Sequence, residues 1–330
     1  MSLVSVIVPV YDNAESLQLL MERLASVATA LTQDTFEFVF VDDGSGDESF
    51  EIIQCLARKD ERVRAVRLSR NFGSNAAVLA GLTYARGDCA VVIAADLQDP
   101  PEFIPQLVTH WRAGNQIVLA ARRRRSDPFV ARLFATVFNR LFRLLVFPDF
   151  PKDGFDFALI DRLVVDILVE LKEKNSHIFG QLMWVGFKRQ VVHYDRGRRS
   201  HGRSRWTTAK KIKYFIDAFT AFSYLPLRMA SIMGMTLAAL GFIYALIIIG
   251  FRMMTDVRVA GWASLTVIVL VTAGSQLLLV GVLGEYLWRV LDESRHRPPF
   301  IVDAVVNCYP DLDEAPRGRR DLRGNRSAPA

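Results

Sequence analysis

Short apolar runs separated by helical periods fill roughly the first 125 residues. Val4–Pro9, Phe36–Val41, Val63–Leu68, Ala90–Ala95 and Ile117–Ala121 are nearly continuous in apolar side chains, the pattern of strands buried on both faces. Between the first two, Leu17, Leu20, Leu24, Val27 and Leu31 recur every three or four residues, which predicts an amphipathic helix. Strands alternating with such helices predict an α/β domain built on a mostly parallel sheet with helices on both faces. Ligands of such sheets sit beyond the carboxyl ends of the strands. The polar clusters that follow each strand are therefore expected to share one crevice.

The pattern changes toward the C-terminus. Met229 to Phe251 gives 23 residues without a charge, and Val259 to Gly284 gives 26 more. Each exceeds the roughly 20 residues that cross a bilayer, so a transmembrane hairpin is expected, with the seven residues Arg252 to Arg258 as its turn. Arg228 before the hairpin and Arg289, Arg295 and Arg297 after it place both termini on the cytoplasmic side of an inner membrane. Two stretches, 126–147 and 206–228, mix arginine or lysine with aromatic and aliphatic residues and predict amphipathic helices at the membrane interface. The expected organisation is a cytoplasmic α/β domain over 1–205, an interfacial helix over 206–228, spans over 229–251 and 259–284, and a C-terminal segment over 285–330 whose end is disordered.

Composition narrows the partners. A formal net charge of +6 suits nucleic acid, anionic lipid or phosphorylated substrates. No zinc-finger spacing, RNA-binding aromatic motif or helix-turn-helix pattern supports nucleic acid. Three cysteines without metal spacing fit a reducing compartment. The opening MSLVSVIVPVYD reads as a strand, since it lacks the basic start of a signal peptide.

The strand ends carry the candidate chemistry. Asp42 and Asp43 adjoin one another after the second strand, and carboxylates accept well from a nucleoside's ring N–H groups and ribose hydroxyls. Ser45 and Glu48 have the spacing of a capping box. After the third strand, Ser69-Arg70-Asn71-Phe72-Gly73-Ser74-Asn75 leads into a helix that Asn75 is placed to cap. After the fourth, Asp96 and Gln98 stand two apart, and in an extended segment they would aim at a common point and bind a hard cation. Asp99 is read as the cap of a helix started by Pro100 and Pro101. Arg122 to Arg125 follow the fifth strand, and Arg198 to Arg205 form a second basic cluster; guanidinium groups bind phosphate oxygens in bidentate fashion.

In order, VIVPVYDN, VDDGSGD, RNFGSNAAVLAG, AADLQDPPE, DGFDFALIDR, HGRSRW and LGEYLWRV resemble the polyprenyl-phosphate glycosyltransferases of glycosyltransferase family 2, over residues 3 to 302. The resemblance implies a Rossmann-like GT-A domain and inverting transfer of a sugar from a nucleotide diphosphate to an isoprenoid lipid phosphate. It places Pro9, Tyr11, Asp12, Asp42, Asp43 and Asn71 around the donor, and Asp96 with Gln98 at Mg2+ or Mn2+ and the pyrophosphate. Arg122, Arg125, Arg132, Thr136, Arg203, Ser204 and Arg205 would surround the acceptor phosphate and reacting centre, with Asp156 orienting sugar or acceptor. Two departures bear on function. Ala94 stands where a first metal-binding Asp is usual, and Asn13 stands where Glu is common. Phe155-Asp156-Phe157-Ala158 keeps the Asp of a related motif and loses its Arg.

A lipid phosphate carries about −1.5 to −2 charges near pH 7, so the acceptor needs no strong base. The leading expectation is a hexosyltransferase using a UDP-glucose-like donor and undecaprenyl phosphate. Alternatives are a GDP-mannose enzyme, a polysaccharide synthase and a non-catalytic membrane adaptor. The synthase expects Gln-x-x-Arg-Trp and more spans, whereas this chain has Arg-Ser-Arg-Trp and two. Gly234, Gly241, Gly274 and Gly281 let the spans approach others, consistent with a homo-oligomer.

Overall fold

The computed structural model describes residues 1–123, 140, 143, 146–151, 154–155, 157–171, 177–195, 225–254, 261–308 and 320–321. Two compact units result, Met1–Phe215 with Pro298–Ala330, and Ile216–Arg297. The interfacial helices expected over 126–147 and 206–228 lie largely outside the described residues.

In the first unit the expected strands form as β1 (Ser2–Val10), β2 (Asp34–Asp42), β3 (Val63–Leu68), β4 (Cys89–Val92) and β5 (Ile117–Arg122). Further strands are β6 (Phe157–Asp161), β7 (Arg189–Tyr194), β8 (Val302–Val306) and the two-residue β9 (Arg320–Asp321). They lie in the order β7-β5-β6-β4-β1-β2-β3-β8-β9. β1 pairs in parallel with β2 and β4, β2 with β3, and β5 with β7. β6 runs antiparallel between β4 and β5, so those two still point the same way.

Helices α1 (Ala14–Ala30), α2 (Ser49–Lys59) and α4 (Ile104–Arg112) cover one face. α3 (Ser74–Tyr84), α5 (Arg162–Leu171) and α6 (Ile178–Trp184) cover the other. The periodic Leu17, Leu20, Leu24 and Val27 of α1 are buried as their spacing requires. α3 is built from small residues because it lies close on the sheet: a Cβ at Gly81 would come within 2.3 Å of Ile7 Cγ2.

The strands are not uniformly apolar inside. Glu37 of β2 and Arg64 of β3 form a buried ion pair at 2.6 Å. Glu37 also accepts from the Arg86 and Gly87 N–H groups and the Ser5 hydroxyl, while Arg64 donates to the Tyr84 carbonyl. This network joins β1, β2, β3 and the approach to β4.

The second unit holds α7 (Leu225–Met254) and α8 (Trp262–Ser294), each long and apolar enough to cross a membrane. α8 runs ten residues past the expected end at Gly284. An i,i+4 pair between Glu285 and Arg289, 3.1 Å apart, supports that extension. Gly234 faces Leu279, whose Cδ1 would lie 3.6 Å from a Cβ at that position. The chain then returns to the first unit, where β8 pairs antiparallel with β3. Of the tail expected to be disordered, Arg320 and Asp321 pair with β8 at Ala304 and Val305.

Glu37→Gln removes the carboxylate of this buried pair with Arg64 and is expected to cost about 3–5 kcal/mol. Glu102→Gln breaks an equally short but exposed pair with Arg23 and should cost about 1 kcal/mol or less. Thermal unfolding of both variants in detergent checks the contrast; equal losses would contradict it.

Candidate active site

The parallel register brings the polar clusters to one edge. Val10 lies beside Asp42, and Asp42 beside Arg67, so the loops after β1, β2 and β3 leave the sheet as neighbours. The chain steps from β1 to β2 and β3 on one side, then crosses back to β4 on the other. The loops after β1 and β4 therefore flank the topological switch point, where open α/β sheets bind ligands.

Asp43 is buried, and both its oxygens are used. Oδ1 accepts from the Phe72 N–H at 2.7 Å and Oδ2 from the Gly73 N–H at 2.9 Å. It thereby clamps the Asn71 loop. Burial pushes the Asp43 carboxyl up to about 6 against those two donors, with the Asp42 charge adding to the rise and Arg70 opposing it. Asp42 is fully buried, accepts from the Ser45 N–H at 3.2 Å and lies 3.5 Å from Arg67 Nε. Burial raises its carboxyl too, opposed by the Ser45 bonds and Arg67. Gly44, at φ 68°, completes the junction, since a Cβ there would lie 2.6 Å from the Arg70 carbonyl carbon.

The loop after β2 also holds the loop after β1. Asp12, at φ 48°, accepts from the Gly46 N–H at 2.7 Å, and its own N–H donates to Ser45 Oγ at 3.0 Å. The Asn13 and Ala14 N–H groups, which begin α1, donate to Ser49 Oγ and Asp47 Oδ2. The expected capping box does not form: α2 starts at Ser49 without a side-chain cap, and Ser45 serves the neighbouring loop. Tyr11 stays 39% exposed.

Asp96 and Gln98 are half-buried in a turn, not the extended segment expected. Leu97 sits at φ 59°, and the Gln98 N–H donates to Asp96 Oδ1 at 3.2 Å. A left-handed leucine is not suggested by residue type, which is why spacing alone misread this segment. Two expected caps also fall elsewhere. Gly73 precedes α3, while Asn75 lies inside it and bonds His177 Nδ1 at 2.6 Å. Asp99 is not at an N-cap, which falls on Pro100 for the turn Pro101–Phe103; it accepts from the Tyr194 hydroxyl at 2.5 Å. Among the described residues, no three His, Cys, Asp or Glu side chains gather as a metal cluster.

Arg122 ends β5 opposite Tyr194, the last residue of β7. The Arg123 N–H donates to the Tyr194 carbonyl at 2.8 Å, and its side chain lies 3.6 Å from exposed Asp195. The two basic segments thus leave the sheet from paired strands. β6 starts at the same edge, with Phe157 beside Ala120. Arg124, Arg125, Arg132, Thr136, Asp156, Arg203, Ser204 and Arg205 lie outside the described residues.

Residues 5–166 match the model of glycosyl transferase family 2. The Bacillus subtilis (strain 168) glycosyltransferase YkcC is 40% identical over 299 residues, spanning 90% of this chain and 92% of that one. The bactoprenol glucosyl transferase of Shigella phage SfV is 36% identical over 300 residues, spanning 91% and 97%. Among solved structures, glucosyl-3-phosphoglycerate synthase of Mycobacterium tuberculosis overlaps 61% of this chain and 73% of that one, at 18% identity and TM-score 0.42. The chain belongs to glycosyltransferase family 2. Its sheet domain is of the GT-A class, and the protein is a sugar-transferring enzyme.

The Asp43 carboxyl has an ordinary value of 3.8 and a folded value of about 6, so in that window the folded protein binds more protons than the unfolded chain. Its contribution to stability is complete below the lower value and lost as pH rises through the upper one. The Tm difference between wild type and Asp43→Asn should therefore shrink between about pH 4 and about pH 7. A difference that grew with pH would refute this.

Proposed function

We propose that the protein transfers a hexose from a nucleotide-diphosphate sugar to a polyprenyl phosphate of the undecaprenyl type, with inversion at the anomeric carbon. A UDP-sugar resembling UDP-glucose is the favoured donor, and the cytoplasmic face of a membrane is the place of reaction. The observation that carries this reading is the order of groups along the carboxyl edge. Asn71, Asp42–Asp43 and Tyr11–Asp12 follow β3, β2 and β1; Asp96 and Gln98 follow β4; arginines follow β5. A nucleoside, a diphosphate and an acceptor phosphate laid in that order meet suitable chemistry at each step. The phage relative's name, bactoprenol glucosyl transferase, supports the same acceptor and sugar. Helices α7 and α8 suit an enzyme whose acceptor is a membrane lipid.

The donor set fits a divalent cation, Mg2+ or Mn2+. Asp96 and Gln98 offer a hard carboxylate and a carboxamide oxygen, and magnesium typically takes one or two carboxylates plus substrate phosphates. When bound, the cation neutralises charge on the departing diphosphate. The protein's own groups do the rest. Tyr11 and Pro9 pack against the base, and the acidic groups of the β1 and β2 loops accept from nucleoside hydroxyl and N–H groups. The arginines at β5 and beyond β7 align the acceptor phosphate, whose oxygen attacks the anomeric carbon as the bond to the nucleotide diphosphate breaks. No general base is required, because the acceptor oxygen is already ionised. Asp156 orients sugar or acceptor. A homo-oligomer formed through the apolar helices, which carry Gly241, Gly274 and Gly281, belongs to the same reading.

The test is release of nucleotide diphosphate by detergent-purified protein given undecaprenyl phosphate and a panel of UDP- and GDP-sugars, with and without EDTA. Lipid-dependent release from one UDP-sugar, abolished by EDTA, is expected. Asp96→Asn should lower kcat/KM by about 10²–10³-fold. Release from GDP-mannose alone would reassign the donor, and release that survives EDTA would remove the cation. No lipid-dependent release from any donor would refute the reading.

A further inference from the structure

Asp99 follows β4, Tyr194 ends β7, and their side chains meet. Asp99 is 1% exposed and lies three residues beyond Asp96; Tyr194 is 3% exposed and ends β7. β5 and β6 separate β7 from β4, so their ends stand about 14 Å apart at ordinary strand spacing. The turn Pro101–Phe103 accompanies the bridge between them, with the Phe103 ring 5.5 Å from that of Tyr194. Phe157 closes the third side, 5.0 Å from Tyr194 and 6.1 Å from Phe103. A carboxylate is costly in such surroundings unless hydrogen-bonded, and the phenol hydroxyl supplies a bond at 2.5 Å.

Tyr194 is also a junction in the main chain. Its carbonyl accepts from the Arg123 N–H, and it stands opposite Arg122. One residue therefore touches the β4 loop through its hydroxyl and the start of the arginine run through its backbone.

We infer that the Tyr194–Asp99 hydrogen bond is a positioning contact that sets the distance between the donor half of the site, at Asp96, and the acceptor half, at Arg122 and Arg123 where β5 ends. This rests on the function proposed above. Each half retains its own binding groups when the bond is lost, so substrate binding persists while alignment for in-line attack fails. Misplacement by about 1 Å can cost about 10²-fold in rate.

Tyr194→Phe keeps the three-ring packing and removes only the hydroxyl. In the lipid-dependent release assay it should lower kcat about 10- to 100-fold, with KM for donor and for undecaprenyl phosphate each within about threefold of wild type. Asp99→Asn, which keeps an acceptor oxygen, should show the same split at smaller size. The double variant should lose less than the product of the two single losses, because both changes act on the same bond. A purely structural contact would instead lower Tm and leave kcat unchanged at temperatures where the variant is folded; that outcome overturns the inference. Should Tyr194→Phe fail to fold, an unchanged kcat in Asp99→Asn does the same. Wild type without lipid-dependent release overturns both readings, whereas an active wild type with unaltered variants overturns this one alone.

Discussion

A buried carboxylate must find donors, and Asp43 finds both of its own in the backbone of another loop. That requirement fixes the edge of the sheet. With Phe72 and Gly73 held, the Asn71 loop is set against Gly44; the same β2 loop presents Ser45, Asp47 and Ser49 to the N–H groups that open α1. Three loops that would otherwise move separately become one rim. The upward pull on the Asp43 carboxyl is the cost of that arrangement, offset by the order it imposes.

The rim makes sense of residues that serve structure and ligand together. Carboxylate oxygens accept more than one bond, so the donor-binding role proposed for Asp12, Asp42 and Asp43 is compatible with their bonds to the backbone. Their internal bonds orient them in advance, which would lower the ordering that the proposed donor binding requires. The polar network of Glu37 and Arg64 plays a separate part, joining the strands from which this rim grows.

Much of this was legible in the sequence. Strands β1 to β5 announce themselves because each is an apolar run, and the parallel arrangement follows from the helices between them. β6 and β8 do not, since FALID and VDAVV are short and their partners lie far away in the chain. The candidate residues were legible as types at strand ends; their bonds were not. Asp43 reaches residues 29 and 30 positions away, and Asp99 reaches one 95 away, separations that no local pattern encodes. Leu97 hid the turn at Asp96 because leucine gives no sign of a left-handed backbone.

The return of the chain as β8 has a practical meaning for how the enzyme is handled. β3 is an inner strand only because residues that follow α8 cover it, through Val302–Val306 and the Ile301 carbonyl that accepts from Ser69. A fragment ending before α7 would leave β3 as a bare edge of unpaired N–H and C=O groups, a template for aggregation. The apolar hairpin is therefore an insertion within the sheet domain. A water-soluble version would need it excised and bridged, with residues 298–308 kept, not the chain cut short.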